Sequence, residues 1–125
     1  MRLLLFLPCL LLCSCSAQRM TQTDLYFGQL KLNGGRVSEQ EWDQFAEQYI
    51  GRVFPNGSSV VAATGHWYDT AAGRLVREPS YLVSSVNKMS PRLSRQIDSL
   101  RYWYKALHRQ QSVLRVERKA KVKLF

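Results

Sequence analysis

An α+β domain built in the order β-α-β-β-α-β is what the sequence predicts. This is the split-βαβ or ferredoxin-like topology, an antiparallel sheet with both helices on one face. Three observations lead there: two apolar stripes of helical period, each opened by a capping signal; strand-like stretches before, between and after them; and a chain of 125 residues, enough for one modest domain. Hydrophobic residues make up 46% and charged residues 22%, which excludes wholesale disorder, collagen-like repeats and a disulfide-knit miniprotein.

Arg2 and the apolar run from Leu3 to Leu12 read as an export signal, because the run is shorter than the roughly 20 residues that span a bilayer. Leu12-Cys13-Ser14-Cys15 resembles a bacterial lipobox, with an apolar residue at −3 and a small one at −1 before the modified cysteine. The expected division is a leader over 1–14, a lipidated Cys15 with a tether over 15–22, and one domain over 23–125. Ser16, where Asp would signal inner-membrane retention, makes the resemblance favour the outer membrane, facing the periplasm. A secretory signal cut after Ala17 would instead give a soluble exported protein, and a start at Met20 a cytoplasmic one. All three cysteines (Cys9, Cys13, Cys15) fall in or just after the leader, so Gln18 to Phe125 can form neither a disulfide nor a cysteine metal site, and holds no cysteine nucleophile.

Leu25/Phe27 and Leu30/Leu32 alternate with a change of phase at Gly28-Gln29, which predicts a bulged first strand ended by Asn33-Gly34-Gly35. Ser38 and Glu41 form a capping box, with Val37 and Trp42 as a hydrophobic staple. The helix beginning at Glu39 carries the stripe Trp42, Phe45, Ala46, Tyr49, Ile50 and Val53, and Gly51 is its expected terminator. Ser59 to Tyr68 and Arg74 to Val86 flank a turn and read as a hairpin. Pro79 requires the second arm to be interrupted, bulged or unpaired on one side. Ser90-Pro91 opens a second helix reaching about Gln110. Leu93, Ile97, Leu100, Tyr104 and Leu107 form its buried stripe, with Arg95, Tyr102 and Arg109 opposite. Ser112 to Phe125 alternates as one strand or a tight hairpin, with Leu114, Val116, Ala120, Val122 and Leu124 on the apolar face that folding relies on and Arg115, Glu117, Lys119, Lys121 and Lys123 on the other.

His66, Trp67, Arg77 and Glu78 lie on the two hairpin arms. A His66–Glu78 acid–base pair, with Arg77 holding an anionic substrate against Trp67, is the catalytic arrangement they allow. In the opposing structural reading, Arg77 and Glu78 face opposite sides and Trp67 packs. The register that decides between them is not readable from loop length. His108, near a helix end, is expected as a cation favoured by the dipole. Two distant histidines without cysteine predict no metal site. No serine nucleophile elbow or phosphate-binding glycine loop is present, and no cofactor is expected. Leu25 to Leu30 is similar to the first-strand motif of RNA-recognition modules. Its third-strand partner motif is missing, so nucleic acid is not an expected partner.

The net charge of +9 is carried entirely by the C-terminal third. Ser16 to Asn87 holds 6 basic and 7 acidic residues, whereas Lys88 to Phe125 holds 11 and 2. Part of this excess is expected to be screened by the acidic first helix, and the lysine ladder would protect an edge strand. The functional alternative is an anion-binding face made of Arg115, Lys119, Lys121 and Lys123 with Arg95 and Arg109, directed at phospholipid headgroups, lipopolysaccharide or an envelope protein.

Tyr26-Phe27-Gly28, Ser38 to Trp42, the run from Arg52 to Gly57 with Gly65 and Trp67, Gly73, Arg77-Glu78 with Ser80, and Gln111-Ser112-Val113-Leu114-Arg115-Val116 together resemble the bacterial family called domain of unknown function 3574. The resemblance covers about 100 residues, nearly everything after the tether. It implies the fold and an envelope location, and carries no activity. The expected function is a non-enzymatic, lipid-anchored envelope binding module. The alternative is a small enzyme or ligand-binding α+β barrel, made by pairing two open sheet faces in a homodimer, with a site near His66, Trp67, Arg77 and Glu78.

Overall fold

The computed structural model describes residues 18–123. The leader and the expected lipidation of Cys15 lie outside the described residues. Four strands, β1 (Gln18–Gly28), β2 (Ser59–Asp69), β3 (Arg74–Asn87) and β4 (Leu114–Val122), form one antiparallel sheet in the order β2-β3-β1-β4. That is the expected ferredoxin-like arrangement, with β4 a single strand, one of its two expected forms.

β1 starts earlier than expected. Residues 18–22, assigned to a tether, pair with Val122 to Arg118 of β4, because the long basic strand needs a partner along its whole length. The strand then ends at Gly28 without bulging. The change of phase marks a separate small loop in which Leu30 bridges to Arg36 and the Lys31 N–H donates to the Gly35 carbonyl at 3.1 Å.

The capping box forms as read: the Glu41 N–H donates to Ser38 Oγ, and the Ser38 N–H donates to the Glu41 carboxylate. It opens α1 (Glu39–Phe45), which runs through a π-helical turn (Ala46–Ile50) into α2 (Gly51–Val53). Gly51 therefore does not stop the helix. Its backbone is right-handed helical, and the chain breaks out at Phe54, whose buried ring closes the core. α3 (Pro91–His108) begins at the Ser90 cap as expected and ends on Arg109 in the left-handed conformation. Leu107 is half exposed and His108 takes the buried position. The left-handed exit at Arg109 turns the chain back toward β1, where Gln110 donates to the Leu30 carbonyl.

Leu25 and Phe27 of β1 and Val83 of β3 meet Trp42, Phe45, Ile97, Leu100 and Tyr104 in the core. The aromatic rings interlock. Phe27 lies 5.5 Å from Trp42 and 4.8 Å from Tyr104, edge to face, and Tyr81 stacks on Trp42 at 4.2 Å. The helices thus cover the odd-numbered side chains of β1, leaving the other face open.

Pro79 sits inside continuous β3. The Gln29 N–H donates to its carbonyl, so residue 79 directs its main chain toward β1, where ladder pairing has already ended at Gly28. The donor that proline lacks falls where no strand needs it.

Candidate functional site

Register decides the hairpin chemistry. His66 pairs with Arg77 and Gly65 with Glu78, which sets the His66 and Glu78 side chains on opposite faces. The expected acid–base pair does not form. Glu78 instead accepts the Leu30 N–H at 3.2 Å, close enough to Gly28 that a Cβ there would lie 2.4 Å from its carboxylate. Trp67 does not pack as the structural reading had it: half exposed, it borders with Glu78, Leu30 and Gln110 a cavity of about 330 Å³ at the end of β1. Arg77 is exposed beside His66. His108 is buried among Phe45 and Tyr104, with neither ring nitrogen hydrogen-bonded among the described residues. Burial, the largest influence, holds its pKa below the usual histidine value, so it is not the exposed dipole cation expected.

The β4 faces are also reversed relative to expectation. Arg115 pairs with core-facing Leu25, and Leu114 and Val116 pair with Tyr26 and Asp24 on the open face. The alternation was read correctly, but its apolar side covers no helix. Arg115 is consumed in a polar knot: its guanidinium donates to the Ser94 carbonyl at 3.1 Å, Ser94 Oγ at 2.9 Å, Asp98 at 2.8 Å and Glu117. It is a brace between β4 and α3 with no donor facing outward to spare. Arg95 lies near the start of α3 and Arg109 is its left-handed C-cap, so the two stand at opposite ends of the helix, about 21 Å apart at 1.5 Å per residue.

A second knot, unforeseen, lies on the open face. Asp24, nearly buried, accepts from Arg118 at 2.6 Å, Ser84 at 2.6 Å and Gln22 at 3.0 Å. Burial works against its charge, yet these donors outweigh it and hold the carboxyl below the usual range.

Several of the remaining cations lie at one end of the domain. Lys119 and Lys121 are exposed beside Thr21 and Arg19, with Lys123 just beyond, where β1 begins. β3 finishes at that same end, since Asn87 pairs with Thr21, and it leads directly to Lys88 and to the start of α3. There α2 and α3 enclose two adjoining grooves of about 350 and 380 Å³ that share Arg52, Val53, Arg92 and Gln96. Arg95, Tyr49 and Trp103 line the first and Lys88 and Asn87 the second. No carboxylate lines either. Arg52, Lys88 and Arg92 escaped the sequence reading because only the fold brings residues 52 and 88–92 together.

Fold and surface together define a small ferredoxin-like domain with one strongly cationic pole. The family model for "Protein of unknown function (DUF3574)" matches residues 22–124, and the chain belongs to that family. A comparison with curated proteins finds no match. Among solved structures, a phage SAM lyase in complex with S-methyl-5'-thioadenosine is similar at a TM-score of 0.61 and 13% identity, over 84% of this chain and 90% of that one. CutA from Synechococcus elongatus PCC7942 gives a TM-score of 0.53 and 14% identity, over 88% and 85%. At such identities the likeness is one of fold. No helix among the described residues is long and apolar enough to cross a membrane, and no metal-ligating cluster occurs among them.

Proposed function

We propose that the protein is a lipid-anchored binding module of the bacterial outer membrane, attached through Cys15 and facing the periplasm, whose cationic pole engages anionic headgroups. The observation that carries this reading is positional: the end of the sheet from which the chain leads back to Cys15 is the end where Arg19, Lys119, Lys121 and Lys123 lie, and where β3 leads into the carboxylate-free grooves of Arg52, Lys88 and Arg92. An anchor at residue 15 would present these cations to the surface that holds it. The bracing arginines are excluded from the role, since Arg115 and Arg118 already satisfy Asp98, Glu117 and Asp24.

Each lysine near an anionic surface contributes about 1 kcal/mol. Converting Lys119, Lys121 and Lys123 to Gln should therefore weaken binding to phosphatidylglycerol vesicles more than a hundredfold at low salt, with a smaller loss as salt rises. The triple variant should fold normally, because all three side chains are exposed, two on an edge strand and Lys123 just beyond it. Equal binding by variant and wild type would leave the lysines as edge protection only and overturn the proposal.

A further inference from the structure

The sheet has two edges, and they are built differently. β4 carries Arg115, Glu117, Arg118, Lys119 and Lys121, a density of charge that discourages another strand from pairing there. From Ser59 to Tyr68, β2 contains no Lys, Arg, Asp, Glu or Pro, and every residue except Ala63 is exposed. Both of its faces are bare: Val60 and Tyr68 on the helix side, Val61 and Trp67 on the open side. Beyond Gly28 the hairpin continues as a two-stranded arm, a form marginally stable alone in water.

The main chain of β2 is equally unpartnered on its outer side. Because residue 79 directs its carbonyl at β1, its neighbour Thr64 directs its peptide groups away from β3, and by alternation so do Val60, Ala62, His66 and Tyr68. Outward N–H and C=O groups in a row are a template for strand addition.

We infer that a second copy of this chain docks along the β2 edge, strand against strand, extending the sheet across both molecules. Charge selects this occupant. On a chain of net charge +9, most self-contacts set cations opposite cations, whereas β2 against β2 brings no like charges together before Asp69. Apolar side chains on both faces gain cross-strand neighbours in the same step. The surface is separate from the cationic pole, so the inference is independent of headgroup binding.

Native mass spectrometry of the full chain released from detergent tests the inference. The wild type should fly as particles of two or more chains. Ala62→Pro, which deletes one outward donor and leaves the β2–β3 ladder whole, should shift the population to single chains with an unchanged circular dichroism spectrum. Val61→Lys, which places a charge beside the docked strand, should do the same and keeps the test decisive if the proline variant loses its fold. A wild type that is one chain at micromolar concentration, or folded variants that assemble as the wild type does, would overturn it.

Discussion

The hydroxyl of Tyr104, on α3, donates to the carbonyl oxygen of Gly28 at 2.7 Å, fastening the second helix to the last residue of β1. Burial raises the phenol's pKa, with the nearby Glu78 charge adding to the effect, so the group remains a donor. Tyr104→Phe would keep the ring packing and strand that carbonyl. The expected cost is about 1–3 kcal/mol in urea unfolding, and a variant as stable as wild type would show that the bond adds nothing.

Trp42 touches Phe27, Tyr81 and Tyr104, and Tyr102 projects from the far side of α3. Trp42→Ala should cost about 3–5 kcal/mol. Tyr102→Ala should change stability by no more than about 0.5 kcal/mol. Thermal melts of the two variants compare them directly.

His108 should make the domain acid-sensitive. Its folded pKa lies below the unfolded value of about 6.5, so the unfolded chain binds more protons and stability falls as pH drops through and below 6.5. His108→Leu should flatten the dependence of unfolding free energy between pH 7 and 5. Glu41 acts in a lower window. Lys31 and the Ser38 N–H hold its pKa at about 2, so its contribution is present above the ordinary carboxylate value near 4.5 and is lost toward pH 2. An unchanged slope in the leucine variant would place the acid sensitivity elsewhere.

Cys15→Ser should move the protein from the membrane to the soluble fraction while leaving the fold of residues 18–123 intact. Lipid mass on the wild type, read by mass spectrometry, is the matching observation. Unaltered partitioning of the variant, with no added mass on the wild type, would remove the anchor.

Local signals carried the fold well. Ser38/Glu41 and Ser90-Pro91 start their helices where the capping pattern places them, because a cap is satisfied within one turn and owes little to tertiary context. What escaped depends on contacts remote in sequence. Alternation in β4 divided its residues into two faces, but which face met the helices was set by the pairing of Arg115 with Leu25, some ninety residues earlier. His66 and Glu78 could be paired on paper only while the register was open. The Asp24–Arg118 knot and the grooves of Arg52 and Arg92 join distant segments that no spacing rule connects.

The early start of β1 sets a length scale. Between an acylated Cys15 and the first paired residue, Gln18, the chain extends no further than about 10–11 Å. That is close to the screening distance of about 8 Å at physiological ionic strength. Under the proposed acylation of Cys15, a domain on so short a leash could not swing its lysines out of the headgroup field. Contacts that would be feeble for a free protein would then act at a fixed, high local concentration, and orientation would become a property of the proposed attachment, independent of affinity.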